Sequence, residues 1–186
     1  MANSNKVVLG SGKLYVTSVP TDGVIPEDSV IETTANLLGL IQGGATLTYT
    51  PTFYEAKDDL GLVSKKWLTE EVVTLVSGIM TWNGATLQKL CATGRVTEDS
   101  TKKTRTLKIG GIDQYDGTQY LIRFVHEDNV DGDIRITIVG SNEAGFEMAF
   151  AKDKETVINA EFKAQPMDNE GTLVIFTEED DTITGV

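Results

Sequence analysis

The segment that decides the fold is "ATLTYTPTFYEAKDDLGLVSKKWLTEEVVTLVSGIMT", residues 45 to 81. Its first part, residues 45 to 56, alternates between two kinds of side chain, which is the period of a β-strand with two different faces. The faces consist of Leu47, Tyr49, Pro51 and Phe53 on one side and Thr46, Thr48, Thr50 and Thr52 on the other. Because Pro51 donates no backbone hydrogen bond, we expect this strand to lie at a sheet edge or to bend there.

The second part, residues 67 to 81, alternates in the same way. Its two faces consist of Val73, Leu75 and Ile79 on one side and Val72, Thr74 and Val76 on the other. Branched side chains at every second position favour a strand. Two long strands that flank a short interruption predict a long β-hairpin with an oversized tip.

The interruption, "KDDLGLVSKKW" at residues 57 to 67, places apolar side chains between an acidic pair and a basic pair. The acidic pair is Asp58 and Asp59, the apolar residues are Leu60, Leu62 and Val63, and the basic pair is Lys65 and Lys66. A two-residue turn would join the strands, and a solvated loop needs no leucines. We therefore expect another surface to cover this tip. The alternative is that the leucines fold back on their own hairpin.

One helix is predicted, in "WNGATLQKLCATG" at residues 82 to 94. Asn83 can cap its start, Leu87, Leu90 and Cys91 form an apolar stripe, and Gly94 can end it. Residues 22 to 42 are expected to be mostly irregular, with at most one helical turn among their β-branched side chains.

The second half of the chain predicts further strands. They are "KTRTLKIG", "QYLIRFVHE", "DIRITIVG", "GFEMAFA", "TVINAEFKA" and "TLVIFT". Asp131 and Gly132 supply a turn, and "PMDNEG" at residues 166 to 171 is expected to form a hairpin connection. The predicted fold class is mainly β: a β-sandwich or open barrel flanked by one α-helix, with a long β-hairpin loop.

Composition limits the class of protein. The chain of 186 residues fits a single domain, residues 1 to 186, with flexible segments expected at residues 1 to 12 and 178 to 186. The net charge of −12 disfavours a general nucleic-acid binder. The longest apolar cluster, "LLGLI" at residues 37 to 41, is too short to span a bilayer, so no membrane insertion is expected.

Motifs for chemistry are incomplete. "GSGK" at residues 10 to 13 lacks the first glycine and the Ser or Thr of a phosphate loop, and the stretch from Glu127 has Ile138 where a calcium loop needs a bidentate Glu. His126 and Cys91 are each unique, so a zinc site or a Cys-His pair is hard to assemble. We expect no catalytic, cofactor-binding or metal-binding residues, and hence no enzyme and no cofactor.

One cluster of the chain is basic: Lys102, Lys103, Arg105 and Lys108. Charge of this kind commonly protects an exposed edge strand from aggregation. The alternative is a patch that docks an acidic neighbour.

Three stretches resemble a phage major tail protein, the tail tube subunit: "GGATLTYTP", "VSGIMTWNGATLQKL" and "INAEFKAQPMDNEGTLVIFTEE". The resemblance runs from about Gly10 to Glu179 and follows the order long strand, loop, strand, helix and β-meander. It implies six copies closing into a ring, and rings stacking into the hollow tail tube of a long-tailed, non-contractile phage or prophage. The implied partners are other copies of the chain and the tape-measure, initiator and terminator proteins of the tail.

The resemblance also implies a place and a role for particular residues. The virion would be the location, with assembly in the host bacterial cytoplasm. The tip from Lys57 to Lys66 would reach the adjacent ring. The face of Thr46, Thr48, Thr50 and Thr52 would line the lumen or a ring interface. The acidic net charge would let DNA pass transiently without being bound.

Two alternatives remain open. One is the inner tube of a contractile injection device, which has the same fold in related families. The other is a monomeric β-sandwich binding module that uses Trp67 or Trp82 to hold surface glycans.

Overall fold

The structure, a computed structural model, describes residues 10–21, 23–62, 64–180 and 183. Its strands are β1 Lys13–Ser18, β2 Leu37–Gly39, β3 Ile41–Lys57, β4 Ser64–Ile79, β5 Arg95–Asp99, β6 Thr104–Lys108, β7 Tyr120–His126, β8 Ile134–Asn142, β9 Ile158–Gln165 and β10 Ile175–Glu178. Its helices are α1 Asp28–Ile31 and α2 Gly84–Lys89, with a 3₁₀ turn at Ile112–Gln114. The predicted mainly β fold class is therefore confirmed.

Within the described residues, eight of the strands form one antiparallel sheet in the order β2-β1-β7-β8-β9-β4-β3, and β10 pairs with β8 beside that path. The two outermost strands, β2 and β3, follow one another along the chain with Leu40 alone between them. The backbone N–H groups of Met80 and Thr81 donate to the Leu40 carbonyl at 2.8 and 3.3 Å. The sheet must therefore curl until its two edges approach at Leu40, and the result is an open barrel.

The concave face of the sheet holds the main core. It consists of Leu14, Val16, Leu38, Val73, Leu75, Ile79, Leu87, Leu90, Ile122, Phe124, Ile138, Ile158, Ala160, Phe162 and Ala164. Paired positions such as Leu75 and Phe162 point to the same face, because directly opposite residues of an antiparallel ladder share one side. Helix α2 supplies Leu87, and Leu90 follows directly at its C-cap; together they close the end of the barrel where β4 finishes.

The convex face is divided. Over β1, β7 and β8 it is apolar, and the segment around α1 covers it through Ile31, which packs near Tyr15, Leu121 and Val139. Over β9, β4 and β3 the convex face carries mostly polar side chains, with the half-buried Val72 and Val76 among them, and no described segment covers it as α1 covers the other half. The half-covered sheet explains why β7 is buried on both faces, whereas β3 is not.

Two arginines on the convex face tie α1 to the sheet. The side chains of Arg123 and Arg135 are only 6% and 12% exposed. Arg123 bonds to Asp28 and, at 3.3 Å, to Glu32, whereas Arg135 Nε donates to Glu32 Oε1 at 2.8 Å. Burial disfavours the charge of Arg135, but hydrogen bonds to Glu32 and Glu179 outweigh it and raise its pKa above the usual range. Glu32 thus compensates two nearly buried cations.

Helix α2 starts where the sequence predicts, but it ends earlier than predicted. Asn83 Oδ1 accepts from the N–H groups of Ala85 and Thr86 at 2.8 and 3.2 Å, as the predicted cap requires. The helix ends at Lys89 rather than near Gly94. The reason is tertiary: the buried Asn142 side chain donates to the Leu90 carbonyl at 3.0 Å, which takes the acceptor that a further helical turn would use.

The expectation for residues 22 to 42 is confirmed for the described part, residues 23 to 42, which is mostly irregular and holds one helical turn, α1, together with β2 and the start of β3. Two other expectations were wrong. Residues 145 to 151 form no strand, because β8 and β9 pair directly; Phe146 and Met148 only pack against the core. Residues 166 to 171 form no hairpin, because β9 and β10 both run antiparallel to β8 and therefore parallel to each other. Asp168 Oδ1 holds the intervening turn by accepting from Glu170 and Thr172 N–H at 2.9 Å each.

Glu32→Gln should lower the free energy of unfolding, because it leaves two nearly buried guanidinium groups with less compensating charge. We expect a loss of about 3 kcal/mol, in the range for removal of one partner of a buried ion pair. Urea unfolding followed by circular dichroism would measure it. Glu161→Gln, at an exposed position of β9, is the matched control and should change little. Equal stability of the two variants would contradict the role assigned to Glu32.

Candidate assembly surface

The most distinctive surface is an arm formed by the end of the β3–β4 hairpin. The ladder between β4 and β9 stops at Thr74 and Lys163, whereas β3 and β4 stay paired as far as Lys57 and Ser64. We call residues 49 to 73 the arm. With a rise of about 3.3 Å per residue, the nine residues that follow Thr48, opposite Thr74, as far as Lys57 extend it roughly 30 Å past the last β9 pairing. It points away from the barrel end that α2 closes.

The arm exposes large apolar side chains along its length, although Val73 at its base is buried in the main core. The exposed side chains are Tyr49, Phe53, Tyr54, Leu60, Leu62, Trp67 and Leu68. An isolated two-stranded ribbon is at best marginally stable in water, since it has no core to bury. A run of exposed aromatic and aliphatic residues on such a ribbon is typical of a surface that is buried in an assembly.

Contacts within the arm keep its strands together. Tyr54 and Trp67 stack with ring centroids 6.0 Å apart, and Lys65 Nζ lies 4.9 Å from the Trp67 centroid. On the other face, Lys66 Nζ lies 5.6 Å from the Phe53 ring. These pairs supply the cross-strand contacts that stabilise a sheet. The arm is thus held in an extended shape while most of its apolar area stays accessible.

The arm also contains a bulge. Thr52 pairs with Glu70 and Phe53 pairs with Leu68, so Thr69 is an extra residue on β4. Its hydroxyl donates to the Thr52 carbonyl at 3.1 Å. A bulge bends its strand and increases the local twist, so the outer part of the arm is aimed differently from the sheet. Pro51 lies on β3, whose outer side has no neighbouring strand among the described residues. An edge strand suits proline, because proline has no backbone N–H to donate to a neighbour.

The tip is shorter than the sequence suggests. Strand pairing continues to Lys57 and Ser64, so Lys65 and Lys66 lie on β4 rather than in the loop. Asp58 and Asp59 begin the turn, where Gly61 N–H donates to the Asp58 carbonyl at 3.0 Å with Gly61 at a φ of +69°. Val63 lies outside the described residues.

The apolar residues of the tip are in solvent. Leu60 is 80% exposed and Leu62 is 79% exposed. The alternative in which these leucines fold back on their own hairpin is therefore wrong for this conformation. Two leucines at the end of a stiff arm can bury their side chains only against another molecule.

The predicted threonine face exists. Thr46, Thr48, Thr50 and Thr52 all lie on the convex side of β3 and are exposed. The same face continues across the ladder through Thr74 on β4 and Lys163 on β9. It presents hydroxyl groups with both signs of charge nearby and no continuous cationic surface.

The side chains that could act in catalysis or bind a metal lie far apart in the fold. Cys91 lines a cleft of about 760 Å³ at the α2 end of the barrel, together with Arg95 and Tyr120, and burial raises the pKa of its thiol. His126 lies at the opposite end of β7, where its Nδ1 is 2.6 Å from the Ser11 carbonyl. Across the described ranges, no group of three or more His, Cys, Asp or Glu side chains is arranged to hold a metal ion. The same residues include no helix long and apolar enough to cross a membrane.

Comparisons with known proteins return no match: no family model fits the sequence, and no curated protein is significantly similar to it. The arm, the β3 edge and the threonine face are the structural features that bear on function.

A titration should report whether the arm keeps its shape in solution. Tyr49 Oη donates to Glu71 Oε1 at 2.6 Å, and this hydrogen bond raises the pKa of Tyr49. Its small contribution to stability should thus be present below the pKa of the unfolded tyrosine and be lost as pH rises through the folded pKa. Glu71→Gln should lower the pKa of Tyr49 toward its ordinary value, measured by NMR of labelled tyrosine.

The control for this titration is Glu70→Gln, because Glu70 lies on the opposite face of β4 from Glu71. It should leave the Tyr49 titration unchanged. An identical Tyr49 pKa in all three proteins would mean that the arm does not hold this pairing in solution.

Proposed function

We propose that this chain is a tail tube subunit of a phage: a structural protein that self-assembles into stacked hexameric rings around a channel for DNA. The single observation that carries the proposal is the arm, whose exposed leucines and aromatic residues lie beyond the body of the fold. The sequence resemblance to phage major tail proteins supports the same role. The proposed role involves no catalysis and no cofactor.

Ring formation is supported by the free edge of β3. This strand has 17 residues, and its outer side pairs with no other strand of the described structure. A long edge strand presents unpaired N–H and C=O groups and invites pairing with another chain. The opposite edge of the sheet, β2, has only three residues and belongs to the same open barrel. Copies placed side by side would cover both edges, and closure of such a heterologous contact gives a ring.

Ring stacking is supported by the arm. Its tip carries Leu60 and Leu62 between Asp58 and Asp59 on one side and Lys65 and Lys66 on the other. The leucines would be buried on a subunit of the adjacent ring, and the acidic pair and the basic pair would orient the contact. Because the arm of one copy meets a different surface of the next, the contact repeats without closing and builds a tube.

DNA passage is supported by charge. A cationic wall would bind phosphates and release counterions, whereas the threonine face and a net charge of −12 offer no such binding. We assign the threonine face to the lumen. The remaining proposed partners are the tape-measure, initiator and terminator proteins, and the proposed location is the virion after assembly in the host cytoplasm.

Leu60→Ser combined with Leu62→Ser should abolish tubes and leave the subunit folded. Both side chains are already in solvent, so the free energy of unfolding should change by less than about 0.5 kcal/mol. The measurement is negative-stain electron microscopy of purified protein across a concentration series, together with urea unfolding. Val30→Ser, an exposed substitution on α1, is the control and should still form tubes. Tubes of unchanged length from the double variant would contradict the role of the tip.

The test of self-assembly itself uses the wild-type chain in the same series. Hollow tubes of stacked rings are the expected result. A chain that stays monomeric at millimolar concentration would overturn the proposed assembly and favour a binding module.

Lysines on the threonine face should make the inner surface of the tube bind DNA. Tubes assembled from the Thr46→Lys, Thr48→Lys, Thr50→Lys, Thr52→Lys variant should retain DNA, and the retention should fall steeply as salt rises. Filter binding of labelled DNA to assembled tubes measures it. The corresponding fourfold glutamine variant is the neutral control and should behave as wild type. Equal retention by the lysine and glutamine tubes would place this face away from the DNA.

A further inference from the structure

Five of the 16 Lys and Arg residues lie in one element that carries a net positive charge. Strands β5 and β6 pair as a two-stranded ribbon outside the main sheet, and we call residues 95 to 108 the basic ribbon. It holds five cations and two carboxylates, a net charge of +3, so the rest of the chain carries −15. The ribbon is anchored by Leu107, which packs on the core, and by Arg105, whose side chain lies against Gly84 of α2.

Three of these five cations are paired within or beside the ribbon. Arg105 pairs with Glu98 at 2.6 Å, Lys102 lies 3.7 Å from Asp99, and Arg95 donates to the backbone. Lys103 and Lys108 have no ion pair with any residue that the structure describes, and both are exposed. The surplus charge therefore faces solvent.

A second patch has the opposite sign. Residues 127 to 133 and 178 to 180, which we call the acidic edge, hold seven carboxylates: Glu127, Asp128, Asp131, Asp133, Glu178, Glu179 and Asp180. Among the described residues, the cations paired with this edge are Lys13, with Glu127 at 2.6 Å, and Arg135, with Asp133 and Glu179. The seven carboxylates and these two cations together carry a net charge of −5. A backbone hydrogen bond joins the two segments of the acidic edge, since Glu179 N–H donates to the Asp133 carbonyl at 2.9 Å.

The two patches lie at opposite ends of the same strands. Strand β7 begins at Tyr120, beside the cleft that is also lined by Arg95 and Ile109 at the base of the ribbon. It ends at His126, immediately before the acidic edge. The length of β7 separates them by about 20 Å, which exceeds the Debye length of about 8 Å at physiological salt. Within one copy, the patches therefore do not neutralise each other.

We propose that the basic ribbon of one copy docks on the acidic edge of the next copy, head to tail. This inference depends on the proposed function, because it names a second contact of the same stacking interface. The occupant is a second copy of this chain, since one molecule carries both complementary patches on opposite ends. The arm also points away from α2, so leucine burial and charge pairing would join the same two copies and fix their orientation.

Charge reversal can test the contact in both directions. The ribbon variant carries Lys102→Glu, Lys103→Glu and Lys108→Glu. The edge variant carries Glu127→Lys, Asp131→Lys and Glu178→Lys. Each variant by itself opposes like charges and should assemble at least about tenfold more weakly than wild type, since like-charge contacts across an interface cost several kcal/mol. A 1:1 mixture restores opposite charges at every contact and should form tubes of alternating copies.

The measurements are sedimentation velocity and negative-stain microscopy at low and high salt, with circular dichroism to verify folding. Lys152→Glu and Lys154→Glu, at exposed positions outside both patches, add two-thirds of the negative charge that the ribbon variant adds, and this control should assemble like wild type. Assembly of either single variant at the wild-type level would overturn the contact, and so would a mixture that fails to assemble.

The same experiment separates this contact from the proposed function. Wild-type tubes together with unaffected variants would overturn only the ribbon contact. If the wild-type chain forms no assemblies at all, both proposals fail. Polyglutamate is the probe in that case, because binding of polyglutamate by a monomeric wild-type chain would assign the ribbon to a different acidic protein.

Discussion

The constraint on which the rest of the structure depends is that the two edge strands of the sheet are joined by Leu40 alone. A sheet that begins with β2 and ends with β3 has to curl until those edges approach each other at this residue. Curling places one face inside, where the apolar side chains of β1, β4, β7, β8 and β9 form a single core with α2. It also leaves β3 on the outside, with its threonines on the convex face and its length continuing into the arm.

Polar contacts decide what covers the convex face. Glu32 and Asp28 neutralise Arg123 and Arg135, and this draws the segment around α1 onto β7 and β8. Buried arginines cost desolvation energy that only close, well-bonded carboxylates offset. Because the arginines occur on β7 and β8, the cover stops there. The convex sides of β9, β4 and β3 stay mostly polar and accessible, and this is the surface that the proposed function assigns to a DNA channel.

A subunit with a free 17-residue edge and an exposed apolar arm faces an assembly problem, because the same surfaces that build a tube can aggregate. Charge gives a physical means of control. A chain with a net charge of −12 repels its copies at long range, whereas the local patches of opposite sign at its two ends favour a single head-to-tail orientation. Under the proposed function, hydrophobic burial would supply most of the stability of the tube and charge would select its register.

Local patterns in the sequence were sufficient for the elements whose side chains alternate between an apolar and a polar environment. The hairpin strands, the threonine face, β7, β8 and the Asn83 cap are all of this kind, because period-two alternation and a capping side chain are local properties. The length of the tip was overestimated, since Lys65 and Lys66 pair with Ala56 and Glu55 across the hairpin, and no local pattern marks this pairing or the bulge at Thr69.

The tertiary structure decided what depends on partners distant in the chain. Residues 145 to 151 alternate like a strand but have no ladder to join, and Asn142 ends α2 by taking the Leu90 carbonyl. The loop at 166 to 171 forms no hairpin because both flanking strands pair with β8. By itself, the sequence determined most of the strands and which of their faces were apolar, since both follow from local periodicity, but it missed β1, β2 and β5 and placed a strand at residues 145 to 151. Strand order, the curl at Leu40 and the separation of the two charged patches required the fold, because each depends on which distant backbone groups satisfy each other's hydrogen bonds.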